Sequence, residues 1–296
     1  MTGTPTGTTP PSGAADGPDL RAALADAERR LAAAGIPSPR AEAELLAGHL
    51  LGVGRGGALA AALRGSPAPA GLEDLVDERV RRVPLQHLTG SAPFRGELVR
   101  VGPGVFVPRP ETEVVAGVAI EAARATGRDR PVVIDLCTGS GAIALAVAAE
   151  VPAAVVLANE LAPEAHAWAE ANLADRGVEV RLGDAAGAFD DLDGSVDVVV
   201  SNPPYIPDGM VPVDPEVAEH DPAVSLFGGG EDGLDVPRSV IGAAARLLRP
   251  GGTLVMEHAD CQQDAVLDEL DPQVWADARG RRDLADRPRF VTATRR

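Results

Sequence analysis

Apolar residues recur every three or four positions between residues 19 and 83, which is the spacing of amphipathic helices. The first run follows Asp19, a residue suited to cap a helix start, and ends at Gly35. Ser38 and Pro39 are typical of the start of a second helix, and another apolar run covers residues 72–83. The pattern predicts a small helical domain over residues 19–83.

The helical pattern stops at residue 84. Over residues 84–108, alternating apolar residues are interrupted by Gly and Pro, which predicts a β-hairpin linker. Pro110 then predicts the start of another helix, since proline suits an early helical position and the acidic Glu111 and Glu113 suit the positive end of the helix dipole.

Short apolar runs alternate with helical patterns from residue 131 onward. Because the runs are continuously apolar, they are typical of parallel strands covered on both faces. The predicted strands are 132–136, 155–159, 178–182, 196–201 and 252–257, and the predicted helices are about 141–150, 163–175 and 236–248. The pattern predicts a doubly wound α/β domain over residues 109–296.

Composition narrows the class of protein. A hydrophobic content of 45% excludes global disorder, and the chain has no apolar run long enough for a membrane span. Residues 1–18 consist mostly of Thr, Gly, Pro and Ser, which predicts a disordered tail, and they contain no signal-peptide pattern. With only Cys137 and Cys261, and no CxxC motif, we expect no disulfide and no zinc site, and we expect a cytoplasmic protein.

Charge and missing residue types exclude further classes. The formal net charge of −17 disfavours stable binding to nucleic acid. The chain contains no Lys, which excludes Schiff-base chemistry and a P-loop lysine. The five histidines form no HxxxH pair, so we expect structural roles for them and no metal ion.

A glycine-rich segment at residues 135–141 follows the first predicted strand of the α/β domain. Glycines at such a turn let the backbone approach a ligand at the carboxyl end of the sheet. Glu160, at the end of the next strand, is placed to accept hydrogen bonds from ribose hydroxyls, and Asp184 follows the third strand where an adenine edge can be read. The segment also fits a dinucleotide fingerprint, so by itself it does not separate NAD from S-adenosylmethionine.

The sequence Asn202-Pro203-Pro204-Tyr205 follows the fourth predicted strand. Two prolines remove two N–H donors and stiffen the backbone, which leaves a rigid set of acceptors. The Asn202 side-chain oxygen and the Pro203 carbonyl can each accept one hydrogen of a planar NH2 group, and Tyr205 can flank that group. This arrangement favours methyl transfer to an amide or an exocyclic amine. Arg109 is open to two interpretations, a surface ion pair with Glu111 and Glu113 or a border of the pocket.

Several motifs in the same order make the chain resemble the bacterial peptide chain release factor N5-glutamine methyltransferases, the PrmC or HemK family. The resemblance covers nearly everything after the tail. It rests on residues 84–90, 107–113, 135–141, 202–205, 220–222, 226–229, 232–234, 282–284 and 287–290.

The resemblance implies a class I S-adenosylmethionine-dependent methyltransferase with a seven-stranded, Rossmann-like sheet, an antiparallel last strand near 289–294, and a helical domain that helps to recognise the substrate. The implied substrates are class I peptide chain release factors, methylated on the Gln of their Gly-Gly-Gln loop. Separately, we expect the enzyme to be a monomer. The residues implied to hold the donor are Cys137, Thr138, Gly139, Ser140, Gly141, Glu160, Asp184, Ala185 and Asn202. Those implied to hold the glutamine are Asn202, Pro203, Pro204 and Tyr205, with Asn202, Pro203 and Tyr205 in the catalytic role.

Cys137 stands where the family often has Gly, which suggests that this position does not require a positive φ, and Ala185 offers no aromatic ring to the adenine. The residues leave three alternatives open. They are a DNA or RNA amino-methyltransferase acting on adenine N6 or cytosine N4, N5-glutamine methylation of a ribosomal protein, and a module that only binds the release factor.

Overall fold

The computed structural model describes residues 18–296, so the predicted disordered tail lies outside the described residues except for Pro18. The chain divides after Thr89 into two compact units. Within the described part, no single helix is both long and apolar enough to cross a membrane. The consecutive helices Pro39–Leu50 and Arg55–Leu63 together have enough length and apolar composition, but they are bent by 88° relative to each other.

The first unit is helical. Leu20, Leu31 and Leu46 are fully buried at its centre. Its helices are α1 (Leu20–Ala33), α2 (Pro39–Leu50), α3 (Arg55–Leu63), α4 (Leu72–Val80) and α5 (Leu85–Thr89). The periodicity did not predict α3, because most of its residues are Ala and Gly. The unit continues past residue 83, because Leu85 and Leu88 of α5 pack against the same core.

The second unit begins with an antiparallel hairpin of β1 (Ser91–Phe94) and β2 (Glu97–Arg100). Strands and helices then alternate. The strands are β3 (Val132–Leu136), β4 (Val155–Glu160), β5 (Glu179–Leu182), β6 (Val196–Ser201), β7 (Leu248–Glu257), β8 (Trp275–Arg282) and β9 (Pro288–Arg295). The helices are α6 (Thr112–Ala125), α7 (Ala142–Glu150), α8 (Pro163–Leu173), α9 (Pro215–His220), α10 (Asp235–Leu247) and α11 (Gln263–Asp268).

The seven strands β3 to β9 form one sheet in the order β5-β4-β3-β6-β7-β9-β8. β5, β4, β3, β6 and β7 run parallel, and β9 is antiparallel to β7. This topology confirms the predicted seven-stranded α/β fold and its antiparallel last strand.

Helices cover both faces of the sheet, which explains why the strands read as continuous apolar runs. Val198 and Val200 of β6 belong to the core cluster beneath α6 and α7, whereas Val199 belongs to the opposite cluster beneath α10. Neighbouring residues of a strand point to opposite faces, so a strand covered on both sides needs apolar residues at consecutive positions.

Helix α6 corrects one prediction. It begins at Thr112 and not at Pro110, because residues 109–113 first form a tight turn in which the Thr112 and Glu113 N–H groups donate to the carbonyls of Arg109 and Pro110. Thr112 is therefore the first helical residue, and its side chain is buried.

Candidate active site

The two motif loops leave adjacent strands at the same edge of the sheet. β3 pairs with β4 on one side and with β6 on the other, and Leu136 lies opposite Ser201 at the ends of β3 and β6. Strand order reverses at this point, and the crevice that such a reversal opens is the usual ligand site of open α/β sheets. A cavity of about 520 Å³ lies there.

All but one of the predicted site residues line this cavity. They are Cys137, Thr138, Gly139, Ser140, Glu160, Asp184, Ala185, Asn202, Pro203, Pro204 and Tyr205. The exception is Gly141, which caps α7 with φ +83°, and whose added Cβ would lie 3.0 Å from Leu173 Cδ1. Gly141 therefore serves the start of α7 and its packing against α8.

Asp135 ties the glycine-rich loop to α7. One carboxylate oxygen accepts the Thr138 hydroxyl at 2.6 Å and the Ala144 N–H at 3.1 Å, while the other has no hydrogen-bond partner in the described part of the chain. Burial raises the pKa of Asp135 to about 7, because the charged form loses its hydration. The loop is thus anchored from beneath.

Cys137 has φ +58°, so the interpretation that this position does not require a positive φ is wrong. A left-handed conformation costs a non-glycine residue about 1–2 kcal/mol. The turn from β3 into the loop requires this backbone geometry whether or not a glycine supplies it.

Glu160 holds the loop from the neighbouring strand. Its Oε2 accepts the Gly139 N–H and its Oε1 accepts the Ala162 N–H, each at 2.8 Å. The carboxylate is fixed in the cavity wall, with lone pairs left over for a ligand. Asp184 is exposed and accepts the Ala186 N–H at 2.8 Å, as a turn residue does, while the adjacent Ala185 is buried.

The Asn-Pro-Pro-Tyr loop is braced by residues 226–228. The N–H groups of Tyr205 and Ile206 donate to the Leu226 carbonyl at 3.2 and 2.8 Å, and Gly228 N–H donates to the Ile206 carbonyl at 3.0 Å. An added Cβ on Gly228 would lie 2.7 Å from the Pro204 carbonyl oxygen. The chain therefore passes too close here for any side chain at residue 228.

Two buried residues, Thr112 and Glu257, lie beneath this loop. They were not predicted from the sequence as part of the site. Glu257, at the end of β7, accepts the Thr112 hydroxyl at 2.8 Å and the Tyr205 hydroxyl at 3.3 Å. Burial raises the pKa of Glu257 to about 7 and also raises the pKa of Tyr205. Local sequence gave no signal for these contacts, because Thr112 and Glu257 are 145 residues apart.

Arg109 lines the cavity and pairs with Asp221 at 2.8 Å, with its guanidinium carbon 4.9 Å from the Phe106 ring centre. The alternative of an ion pair with Glu111 and Glu113 is therefore wrong. Burial raises the pKa of Asp221 to about 6 despite this partner. Among residues 18–296, no cluster of three His, Cys, Asp or Glu side chains is arranged to hold a metal ion.

Two family models match the chain: the PrmC N-terminal domain over residues 22–90 and the methyltransferase small domain over residues 103–217. The release factor glutamine methyltransferase of Streptomyces coelicolor is 52% identical over 93% of this chain and 97% of its own length. A 4-amino-L-phenylalanine/4-methylamino-L-phenylalanine methyltransferase of Streptomyces pristinaespiralis is 43% identical over 84% of this chain and 86% of its own length.

Among solved structures, the T. thermophilus 16S rRNA N2 G1207 methyltransferase, in complex with AdoMet and guanosine, superposes with a TM-score of 0.50 and 20% identity, covering 70% of this chain and 50% of its own. At that identity the likeness shows the fold alone. Identity to the S. coelicolor enzyme over nearly the whole of both chains, together with the matching N-terminal model, shows that this chain belongs to the release factor glutamine methyltransferase family.

Proposed function

We propose that this protein transfers a methyl group from S-adenosylmethionine to the side-chain amide nitrogen of the Gln in the Gly-Gly-Gln loop of class I peptide chain release factors. The proposal rests on one observation: two loops line the same cavity. They are the glycine-rich loop, which Glu160 holds in place, and the Asn202-Pro203 loop, which residues 226–228 brace. The first suits a nucleoside, and the second suits a planar NH2 group.

The residues present fit the donor. The Glu160 carboxylate is positioned by two backbone N–H groups and has acceptor capacity left for both ribose hydroxyls. Residues 137–140 form the adjacent wall, and Asp184 and Ala185 border the far side. When bound, S-adenosylmethionine would supply an electrophilic methyl group on a sulfonium centre and would leave as the neutral thioether, while the methylated nitrogen loses one of its two protons.

The difficulty of the reaction is the low nucleophilicity of an amide nitrogen, and residues of the Asn-Pro-Pro-Tyr loop compensate for it. Asn202 Oδ1 and the Pro203 carbonyl oxygen each accept one N–H of the glutamine NH2 group. Two such hydrogen bonds favour a pyramidal nitrogen and return its lone pair from the carbonyl for attack. Tyr205 and Pro204 flank the planar group and hold it in line. Catalysis thus rests on preorganised geometry and dipoles.

The remaining features suit a role in translation termination. The helical unit, which contains the match to the PrmC N-terminal domain, is assigned to recognition of the release factor. The two free cysteines, Cys137 and Cys261, suit a reducing compartment such as the cytoplasm. The net charge of −17 supports a protein substrate over stable binding to nucleic acid, and we propose that the enzyme acts as a monomer.

The test is incubation with S-adenosylmethionine and a purified class I release factor, followed by peptide mass analysis. We expect the mass of one methyl group on the loop Gln, and none when that Gln is replaced by Ala in the release factor. Parallel reactions contain DNA, RNA, ribosomal proteins and 4-amino-L-phenylalanine. Methylation of one of these without methylation of the release factor would overturn the proposal.

A further inference from the structure

Glu257 lies beneath the substrate loop without lining the cavity. β7 pairs with β6, and Met256 is opposite Ser201, so Glu257 falls next to the start of the Asn-Pro-Pro-Tyr loop. Its side chain is 1% exposed, and its two oxygens accept hydrogen bonds from Thr112, the first residue of α6, and from Tyr205 in the loop after β6. A buried carboxylate is costly unless its acceptors are used, and here both oxygens have a donor.

The proton of the Thr112 hydroxyl decides which way the Asn202 amide points. A hydroxyl has one proton, and Thr112 donates it to Glu257 at 2.8 Å. Towards Asn202, Thr112 is therefore left with lone pairs only, and it accepts from Asn202 Nδ2 at 3.4 Å. With Nδ2 directed at Thr112, the other amide atom, Oδ1, is the one available as an acceptor for a ligand.

We propose that Glu257 is a positioning residue for methyl transfer: through Thr112 it fixes the Asn202 amide with Oδ1 as the acceptor for the substrate, and through the Tyr205 hydroxyl it fixes the ring that flanks the glutamine. The inference rests on the proposed function and assigns to that site a residue outside the cavity wall. Glu257 acts on the reaction only through the residues that it holds.

This role requires the ionised carboxylate. A protonated Glu257 is itself a donor, so one of its two acceptor positions is lost and Thr112 is free to turn its proton towards Asn202. Burial raises the pKa of Glu257 to about 7, so protonation of this carboxylate occurs near neutral pH. The charged and titratable groups that face it are Arg289 of β9, which is bound to Asp283, together with Glu111 and Tyr205. Arg289 favours the ionised form and Glu111 opposes it.

The kinetic test uses Glu257→Gln, which keeps the shape of the side chain but replaces one acceptor with a donor. We expect kcat to fall by about 10- to 100-fold with donor Kd unchanged, and we expect the decline of kcat below about pH 7 to be smaller than in the wild type. Thr112→Val should lower kcat in the same way, Thr112→Ser should preserve it, and the double variant should be no worse than Glu257→Gln. A Glu257→Gln variant with wild-type kcat and an unchanged decline of kcat below about pH 7 would overturn the inference. So would a double variant whose loss of kcat equals the product of the two single-variant losses.

The matched control is Asp197→Asn. Asp197 is a fully buried carboxylate near the opposite end of β6, where it accepts from Arg249 and from the Val132 N–H. This variant should lower Tm while leaving the decline of kcat below about pH 7 unchanged, as expected of a merely structural carboxylate. If Asp197→Asn also reduced that decline, a specific role for Glu257 would be contradicted.

A second readout does not need the release factor. In ¹⁵N spectra, the Asn202 side-chain NH2 resonance should shift with pH around a midpoint near 7 in the wild type and stay constant in Glu257→Gln. If this titration is present but the wild type does not methylate release factors, the proposed function fails, and only the coupling of Glu257 to the Asn202 amide through Thr112 stands. If methylation occurs and the resonance does not titrate, the positioning role fails alone.

Discussion

Replacement of Asn202 by alanine separates catalysis from folding. Among the described residues, the Asn202 side chain makes one hydrogen bond, a long one of 3.4 Å to Thr112. Its loss costs folding about 0.5–1 kcal/mol. In the proposed reaction, the same side chain supplies one of the two oxygens that grip the substrate nitrogen. Loss of one such preorganised contact costs about 2.7–4 kcal/mol in the transition state, or about 10² to 10³ in turnover.

The assay is single-turnover methyl transfer to the release factor at saturating donor, with donor affinity measured by calorimetry and stability by thermal unfolding. We expect Asn202→Ala to lower the transfer rate by the factor above, while donor Kd changes only a few-fold and Tm by a few degrees. Turnover equal to that of the wild type would refute the role of Asn202. So would a loss of activity that is fully explained by weaker donor binding.

Three further predictions concern the scaffold of the site. Gly228→Ala should destabilise the fold by about 1–3 kcal/mol and lower activity, because the new Cβ would clash with the Pro204 carbonyl. Gly242→Ala, at an open position on α10, should instead stabilise the fold by up to about 1 kcal/mol. Denaturant unfolding measures both effects. Cys137→Val should cost about 1–3 kcal/mol because φ is positive there, and Cys137→Gly should be tolerated; equal Tm values for the two would contradict this strain. Burial raises the pKa of Asp135 from 3.8 to about 7, so its ionisation opposes folding progressively as pH rises from about 4 to 7. Asp135→Asn should therefore reduce the loss of unfolding free energy over this pH range, as measured by urea unfolding. An unchanged slope of unfolding free energy against pH would contradict this prediction.

The sequence predicted the sheet well where burial dictated the residue types. β3 and β6 lie at their predicted positions, because strands covered on both faces must be apolar at every residue. The prediction missed β8, an edge strand whose residues after Trp275 are largely polar and exposed, so no apolar pattern marks it. β7 begins at Leu248 and not at 252, because Pro250 and the following glycines hid its first residues.

The candidate site could be predicted only where its residues are consecutive. The glycine-rich loop and the Asn-Pro-Pro-Tyr loop each concentrate their chemistry in a few adjacent positions. The support beneath them does not: Glu257 reaches Tyr205 across 52 residues, and Asn202 reaches Thr112 across 90. Such contacts depend on strand order and helix placement, which residue types alone do not specify. Arg109 shows the same limit, since its acidic partner is Asp221 and not the glutamates next to it.

A crystal structure of the protein with S-adenosylhomocysteine and a Gly-Gly-Gln peptide tests the proposed substrate site most directly. We expect the glutamine side-chain nitrogen to lie within hydrogen-bond distance of both Asn202 Oδ1 and the Pro203 carbonyl oxygen, on the side facing the sulfur atom. A glutamine bound elsewhere, or an Asn202 whose Nδ2 faces the peptide, would contradict this expectation.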